Sequence, residues 1–266
     1  MNPSELARIA GAMVAKGKGI LAADESTGTI KKRFDTIRLE STAENRRAYR
    51  DLLFTAPAAA ESISGVIDIA EDIPTDFAIA ANAQALARYA ALCQENDIVP
   101  IVEPEVLMDG AHTLDRCAEV TEHVLQSVFG QLFEQRVLLE CMVLKPNMVI
   151  SGKKAANRAP PQTVAEATVR VLKRHVPPAV PGIAFLSGGQ SPAEATLHLS
   201  LINKLGPLPW SITFSYGRAL QDEALKAWGG TAANFASGQK EFVRRAKLTA
   251  LATTGRYASD MESQAA

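Results

Sequence analysis

The stretch Leu138-Leu139-Glu140-Cys141-Met142-Val143-Leu144-Lys145-Pro146-Asn147 governs how the rest of the chain is read. An apolar run of strand length ends in a lysine. The proline that follows has no N–H for a sheet ladder and stops the strand there. Alternation puts Cys141, Val143 and Lys145 on one face. The pattern recurs along the chain. Ile20, Ala22 and Asp24 share a face, as do Ile101, Glu103 and Glu105, then Ile183, Phe185 and Ser187, then Thr213 and Ser215. Each apolar stripe finishes in a polar or ionisable residue at its C-terminal end, with Gly or Pro close behind. Polar residues that merely mark where a strand leaves the core explain one such end; five ending in Asp, Glu, Lys, Ser and Ser are better explained by a parallel barrel, whose strand ends converge on one face.

Working outward, strand-like runs fall at 19–23, 63–67, 98–102, 138–144, 183–186 and 212–214, six in all. Between them, periodicity predicts helices at roughly 2–15, 42–55, 75–95, 113–136, 161–175, 191–205, 218–228 and 234–254. Ser41-Thr42-Ala43-Glu44 and Ser191-Pro192-Ala193-Glu194 have the form of helix starts. Strands and helices alternating every ~30–40 residues predict an α/β fold of repeated βα units. Residues 1–257 read as one barrel-type domain and 258–266 as a mobile tail with little to bury.

Lysine at an inward strand end admits two readings. It can snorkel out to solvent. It can also be desolvated among apolar neighbours, which favours the neutral amine that attacks a carbonyl to form a Schiff base. Imine formation moves protons and expels water, so nearby carboxylates favour the second reading. Glu103, Glu105 and Asp24 are the candidates. Ser187-Gly188-Gly189-Gln190-Ser191 follows a strand and opens a helix, where backbone N–H groups can approach an anion. Ser215-Tyr216-Gly217-Arg218 follows the next strand, and Arg218 can grip a phosphate with its planar fork. Lys31-Lys32-Arg33 reads as a solvated basic turn from which Arg33 reaches the open face.

Composition narrows the classes. The 266 residues carry 28 Lys and Arg against 29 Asp and Glu, a formal net charge of −1. That balance argues against nucleic acid as the main partner, which requires clustered surplus cations. A 47% hydrophobic share excludes disorder for the bulk of the chain. Cys93, Cys117 and Cys141 are odd in number and widely spaced, as expected of free thiols in the cytoplasm. The N-terminus has no secretory pattern, and no stretch reads as a membrane helix. The four histidines lack ligand spacing, which leaves imidazole-based metal binding with little support; no cofactor is expected. Gly17-Lys18-Gly19-Ile20-Leu21-Ala22 fits a dinucleotide fingerprint but precedes a strand instead of following one.

Several segments together carry a family resemblance: Gly-Ile-Leu-Ala-Ala-Asp-Glu-Ser-Thr-Gly (19–28), Glu-Asn-Arg-Arg-Ala-Tyr-Arg (44–50), Asn-Ala-Gln-Ala-Leu-Ala-Arg-Tyr-Ala (82–90), Val-Pro-Ile-Val-Glu-Pro-Glu (99–105), Leu-Lys-Pro-Asn-Met-Val (144–149), Phe-Leu-Ser-Gly-Gly-Gln-Ser (185–191) and Phe-Ser-Tyr-Gly-Arg-Ala-Leu-Gln (214–221). In this order they resemble class I fructose-1,6-bisphosphate aldolase. The resemblance implies a TIM (β/α)8 barrel, often tetrameric, without a metal, that cleaves fructose 1,6-bisphosphate into two triose phosphates. It implies Lys145 as the Schiff-base lysine and Glu103 as proton acceptor, assisted by Asp24 and Glu105. It assigns phosphate binding to Arg33, Ser187, Gly188, Gly189, Gly217 and Arg218; Ser215 joins them from the strand-end pattern.

The chain also departs from that family. Its third-strand Lys-Val-Asp and fourth-strand Lys-Trp-Arg motifs are absent. Ile63-Ser64-Gly65-Val66-Ile67 passes directly into Asp68-Ile69-Ala70-Glu71-Asp72, which places a junction within 65–72. Two missing βα units correspond to roughly 60 residues or more, so an incomplete barrel is expected. Cys141 stands where the family has Gly, and a C-terminal Tyr is missing. An alternative reading is a shortened, impaired variant that binds sugar phosphates or associates with full-length subunits.

Overall fold

The computed structural model describes residues 2–22, 27–54, 76–108 and 110–264. Asp24, the run 63–67 and the junction within 65–72 lie outside them. Helix α1 (Pro3–Met13) starts at the Asn2 side chain, which accepts from the Glu5 N–H, with Pro3 preset for the first turn. There follow β1 (Ile20–Leu21), α2 (Thr27–Asp35), α3 (Ala43–Phe54), α4 (Asp76–Glu95), β2 (Ile101–Val102), α5 (Leu114–Glu134) and β3 (Val143–Leu144). The remainder is α6 (Pro161–His175), β4 (Gly182–Phe185), α7 (Pro192–Lys204), β5 (Ser211–Tyr216), α8 (Arg218–Trp228), α9 (Phe235–Ala252) and the short α10 (Met261–Gln264).

Among the described residues there are five strands, all parallel, in the order β1-β5-β4-β3-β2. They form a curled half-barrel of the TIM type with helices outside. Val14, Ile20, Ile101, Val143 and Ala184 make a small cluster inside the curl, apart from the large core that the helices cover. Val14, at the end of α1, plugs the N-terminal end of the sheet. Gly182 has to be Gly there, since a Cβ would stand 2.4 Å from the Val14 side chain.

Eight helices match the periodicity within a residue or two, and Ser191 and Glu194 form a reciprocal capping box on α7. Four features differ. First, 138–144 is not strand throughout. Residues Leu139–Cys141 form a 3-10 turn, because the buried Gln94 side chain accepts from the Leu138 N–H and donates to the carbonyls of Leu138 and Cys141. Cys141 therefore leaves the Val143–Lys145 face and turns its thiol to the Pro3 carbonyl, 3.3 Å away. Second, Ile183 and Phe185 face the helices, and Ala184 is the inward residue of β4. Third, the basic stretch 31–33 lies in a helix: Ile30 and Phe34, one turn apart, are fully buried, and Phe34 meets Tyr49 and Trp228 edge-on at centroid distances of 5.6 and 6.4 Å. Two apolar residues in nine give a weak periodic signal, so the helix owes its existence to this tertiary contact.

Fourth, the segment past Tyr257 buries more than its composition suggests. Glu262 accepts two bonds of 2.7 Å from Arg245 and one of 2.6 Å from the Tyr257 hydroxyl. Arg245 is fully buried, so its charge is matched where water cannot reach it.

Candidate active site

Parallel strands bring their C-terminal ends to one edge, and among the described residues the ends of β2, β3, β4 and β5 contribute. Lys145 follows β3. Its N–H donates to the Val102 carbonyl at 2.8 Å, which continues the β2–β3 ladder past the last formal strand residue. The ladder thus fixes the lysine's Cα against the end of β2, where Glu103 begins the next turn. The two side chains meet there: Lys145 Nζ lies 2.9 Å from Glu103 Oε2, with the side chains only 4% and 5% exposed. Such a pair loses most of its hydration, and the close approach of the two groups offsets part of that cost. A lysine reaching out to solvent is therefore not what the fold contains.

Glu105 follows in a turn closed by its own N–H on the Glu103 carbonyl. Its carboxylate borders the phosphate-type loop after β4: a Cβ on Gly188 would stand 3.1 Å from Glu105 Oε1. Gly189 has φ +74°, a conformation that glycine adopts freely. Ser187 is buried beside it. Asn147, quoted in the sequence only as part of a motif, turns out to tie this corner together. It accepts from the Val106 N–H at 3.1 Å and donates to Thr121 on α5 at 3.1 Å. The turn carrying both glutamates is thereby locked to the strand carrying the lysine.

Gln190 was likewise missed. It lies inside the Ser187–Ser191 loop and bonds to His198 Nδ1 on α7 at 2.5 Å. Burial pushes the His198 imidazole down to about 4, despite the Glu194 carboxylate nearby. At neutral pH it is an uncharged partner that orients the loop.

At the other end of the sheet, Ser215 lies one residue before the end of β5 with its hydroxyl buried and, among the described residues, without a hydrogen-bond partner. Gly217 caps α8, and Arg218, exposed, opens it. Arg33 of α2 reaches this loop: its Nη2 lies 3.2 Å from where a Cβ of Gly217 would stand. Burial pushes the Asp222 carboxyl up, against the pull of Arg33, Lys226 and Arg218. The structure thus gathers Arg33, Gly217 and Arg218 at the β5 end, Ser187 to Gly189 at the β4 end, and Lys145 with Glu103 and Glu105 at β3 and β2. Only Asp24 falls outside the described residues. The arrangement joins a desolvated amine–carboxylate pair to two anion-type loops with an arginine on one of them. Such a site can hold a phosphorylated carbonyl compound and shuttle a proton at its carbonyl carbon.

The family described as class-I fructose-bisphosphate aldolase matches residues 5–72 and 66–266, two segments that overlap near the expected junction. A probable class 1 fructose-bisphosphate aldolase of Xanthomonas campestris is 42% identical over 332 aligned positions, covering 97% of this chain and 99% of the relative. Because 332 exceeds the chain's 266 residues, at least 66 positions of that alignment have no residue here. A cytosolic aldolase of Arabidopsis thaliana is 42% identical, with 92% of this chain and 82% of the relative covered. A crystal structure of Plasmodium falciparum fructose-bisphosphate aldolase, in complex with TRAP and a small-molecule inhibitor, superposes with a TM-score of 0.91 at 41% identity, with 96% of each chain covered.

Proposed function

The chain belongs to the class-I fructose-bisphosphate aldolases, and from that premise we propose that it cleaves fructose 1,6-bisphosphate reversibly to dihydroxyacetone phosphate and glyceraldehyde 3-phosphate through an imine on Lys145. The observation that carries this is the buried contact of 2.9 Å between Lys145 Nζ and Glu103 Oε2. A lysine attacks only after losing a proton, and a carboxylate at hydrogen-bond distance can take it. Attack on the ketone carbon gives a carbinolamine; Glu103 returns its proton to that hydroxyl, which leaves as water, giving the protonated imine and a carboxylate again. Glu103 then takes the proton of the hydroxyl two carbons away, the intervening C–C bond breaks, and its electron pair flows into the imine. The aldehyde half leaves; the enamine is reprotonated and water releases the ketone half. The iminium is the electron sink.

Glu105 and Asp24 assist proton transfer. Arg33, Ser187, Gly188, Gly189, Ser215, Gly217 and Arg218 hold the phosphates. In the barrel's C-terminal edge these loops flank the reacting carbons, as two phosphates at opposite ends of one sugar require. The junction within 65–72 is read as the point where two βα units are missing, which the overlapping family matches and the longer alignment support. Among the described residues no helix is long and apolar enough to cross a membrane. A relative described as cytosolic supports a cytoplasmic location; a homo-oligomeric state is carried over from the family resemblance alone. The test is borohydride trapping. Incubation with fructose 1,6-bisphosphate and borohydride should inactivate the enzyme and add a triose phosphate to Lys145. A protein that turns over the sugar without being trapped would overturn the imine reading.

A further inference from the structure

We propose that Gln221 is a positioning residue that sets the guanidinium of Arg33 against the Gly217–Arg218 loop and so prepares the phosphate end of the site. This rests on the reading of Arg33 as a phosphate ligand given above. Gln221 lies one turn into α8 and is fully buried. Its carboxamide binds three elements at once. The oxygen accepts from Arg33 Nη1 on α2 and from the Tyr49 hydroxyl on α3, the latter at 3.1 Å. The nitrogen donates to the carbonyl of Ala22 at 2.5 Å, just past β1. Ala22 is tied on its other side to the Tyr216 carbonyl of β5.

The chemistry calls for a primary amide. Arg33 only donates and a backbone carbonyl only accepts, so one side chain must present both functions in a place water does not enter. Asparagine is one carbon shorter. Glutamate would set a carboxylate oxygen against the Ala22 carbonyl and cancel the Arg33 charge. Leucine would leave a buried carbonyl and a guanidinium nitrogen without their bonds. The other guanidinium terminus of Arg33 is the one beside Gly217. One end of the fork is therefore anchored and the other is directed at the loop. The arginine gives up its rotamer freedom before the substrate arrives, which improves binding without any new contact to the substrate. The same amide holds the Ala22 carbonyl just past β1, so both the cation and the end of that strand take their place from one side chain.

The test uses the full chain with Gln221→Leu and Arg33→Ala, singly and together. Melting temperature verifies folding; KM and kcat for fructose 1,6-bisphosphate and inhibition by inorganic phosphate are read. The expected result is that Gln221→Leu raises KM and the phosphate inhibition constant about tenfold while kcat changes less than about threefold. In the Arg33→Ala background it should raise neither further, because contacting residues acting through one another are non-additive. A purely structural role would give a KM effect of the same size in both backgrounds, and that outcome overturns the inference. If Arg33→Ala weakens phosphate binding and folded Gln221→Leu does not, the inference falls and the reading of Arg33 stands. If Arg33→Ala itself changes nothing, both fall. Should Gln221→Leu not fold, Gln221→Glu replaces it. The carboxylate keeps the acceptor for Arg33 but neutralises it, so the same rise in KM is expected, again only when Arg33 is present; an unchanged KM overturns the inference.

Discussion

Lys145 and Glu103 stand on the strand ladder itself, whereas Arg33 and Arg218 stand on helices beside it. The first pair is placed by backbone bonds, Val143 N–H to Pro100 carbonyl and Lys145 N–H to Val102 carbonyl, at 3.0 and 2.8 Å. The arginine Arg33 is placed by side chains: Gln221, and behind it the Phe34–Tyr49–Trp228 cluster, in which Tyr49 and Trp228 stack at 5.7 Å. On the proposed roles, the difference follows what each end would have to do. Bond making depends on geometry at the scale of 1 Å, so its groups are built on the most rigid part of the fold. Gripping a phosphate depends on charge and on a fork held ready, which side chains on loops and helix ends can supply.

The sharpest way to break this division is Lys145→Met. Cleavage should fall by on the order of 10³-fold or more, with no borohydride trapping, while sugar-phosphate binding measured by calorimetry persists. Loss of binding together with turnover would mean the two ends are not separable. Glu103→Gln comes next. Without its proton acceptor, kcat should drop about 10²–10⁴-fold with KM nearly unchanged, and single-turnover kinetics would show which step slows. A KM effect of the same size would move Glu103 to the binding end.

The binding end should be the pH-sensitive one. His198 holds Gln190 in the β4 loop, and burial has lowered its folded-state value from 6.5 to about 4. The unfolded chain binds that proton below about 6.5 and the folded chain does not until about 4. Stability from this site is therefore whole above pH 6.5 and is lost as pH falls, by about 3 kcal/mol at pH 4. Urea unfolding of the parent and of His198→Gln between pH 7 and 4 isolates it from the carboxylates. If the two curves fall in parallel, His198 does not stay neutral in the folded protein. The smallest effect expected is for Arg218→Ala. Sugar-phosphate binding should weaken by about 1.5–3 kcal/mol, the worth of a charge-assisted hydrogen bond, with trapping on Lys145 intact at saturating substrate. Unchanged binding by titration calorimetry would remove Arg218 from the site.

Much of this was legible residue by residue. That Lys145, Glu103 and Glu105 lie together at the strand ends is legible because a strand ending in a charge breaks an apolar run, and such a break is a local signal. The loops at 187–189 and 215–218 are legible because each places glycine between a strand and a helix. What escaped has the opposite character. Helix α2 offered two apolar residues in nine. The inward residue of β4 was misassigned by one because the neighbouring strands, not β4's own alternation, decide which face is concave. Asn147, Gln190 and Gln221 are ordinary amides in sequence; only their partners, which lie 41, 8 and 188 residues away for Val106, His198 and Arg33, give them a role. Glu262 was set aside with a polar tail, and its buried partner Arg245 lies 17 residues earlier in α9.

The sequence by itself determined the alternation of strand and helix, the family, and which side chains carry charge at the strand ends, because those depend on periods of two and 3.6 and on residue type. The tertiary structure decided what those charges meet. Whether Lys145 would be solvated or paired depended on a contact with Glu103, 42 residues earlier, that only strand adjacency creates. The electrostatics of a buried pair, and of an arginine held by a distant amide, are properties of what surrounds a group, and no local pattern encodes them.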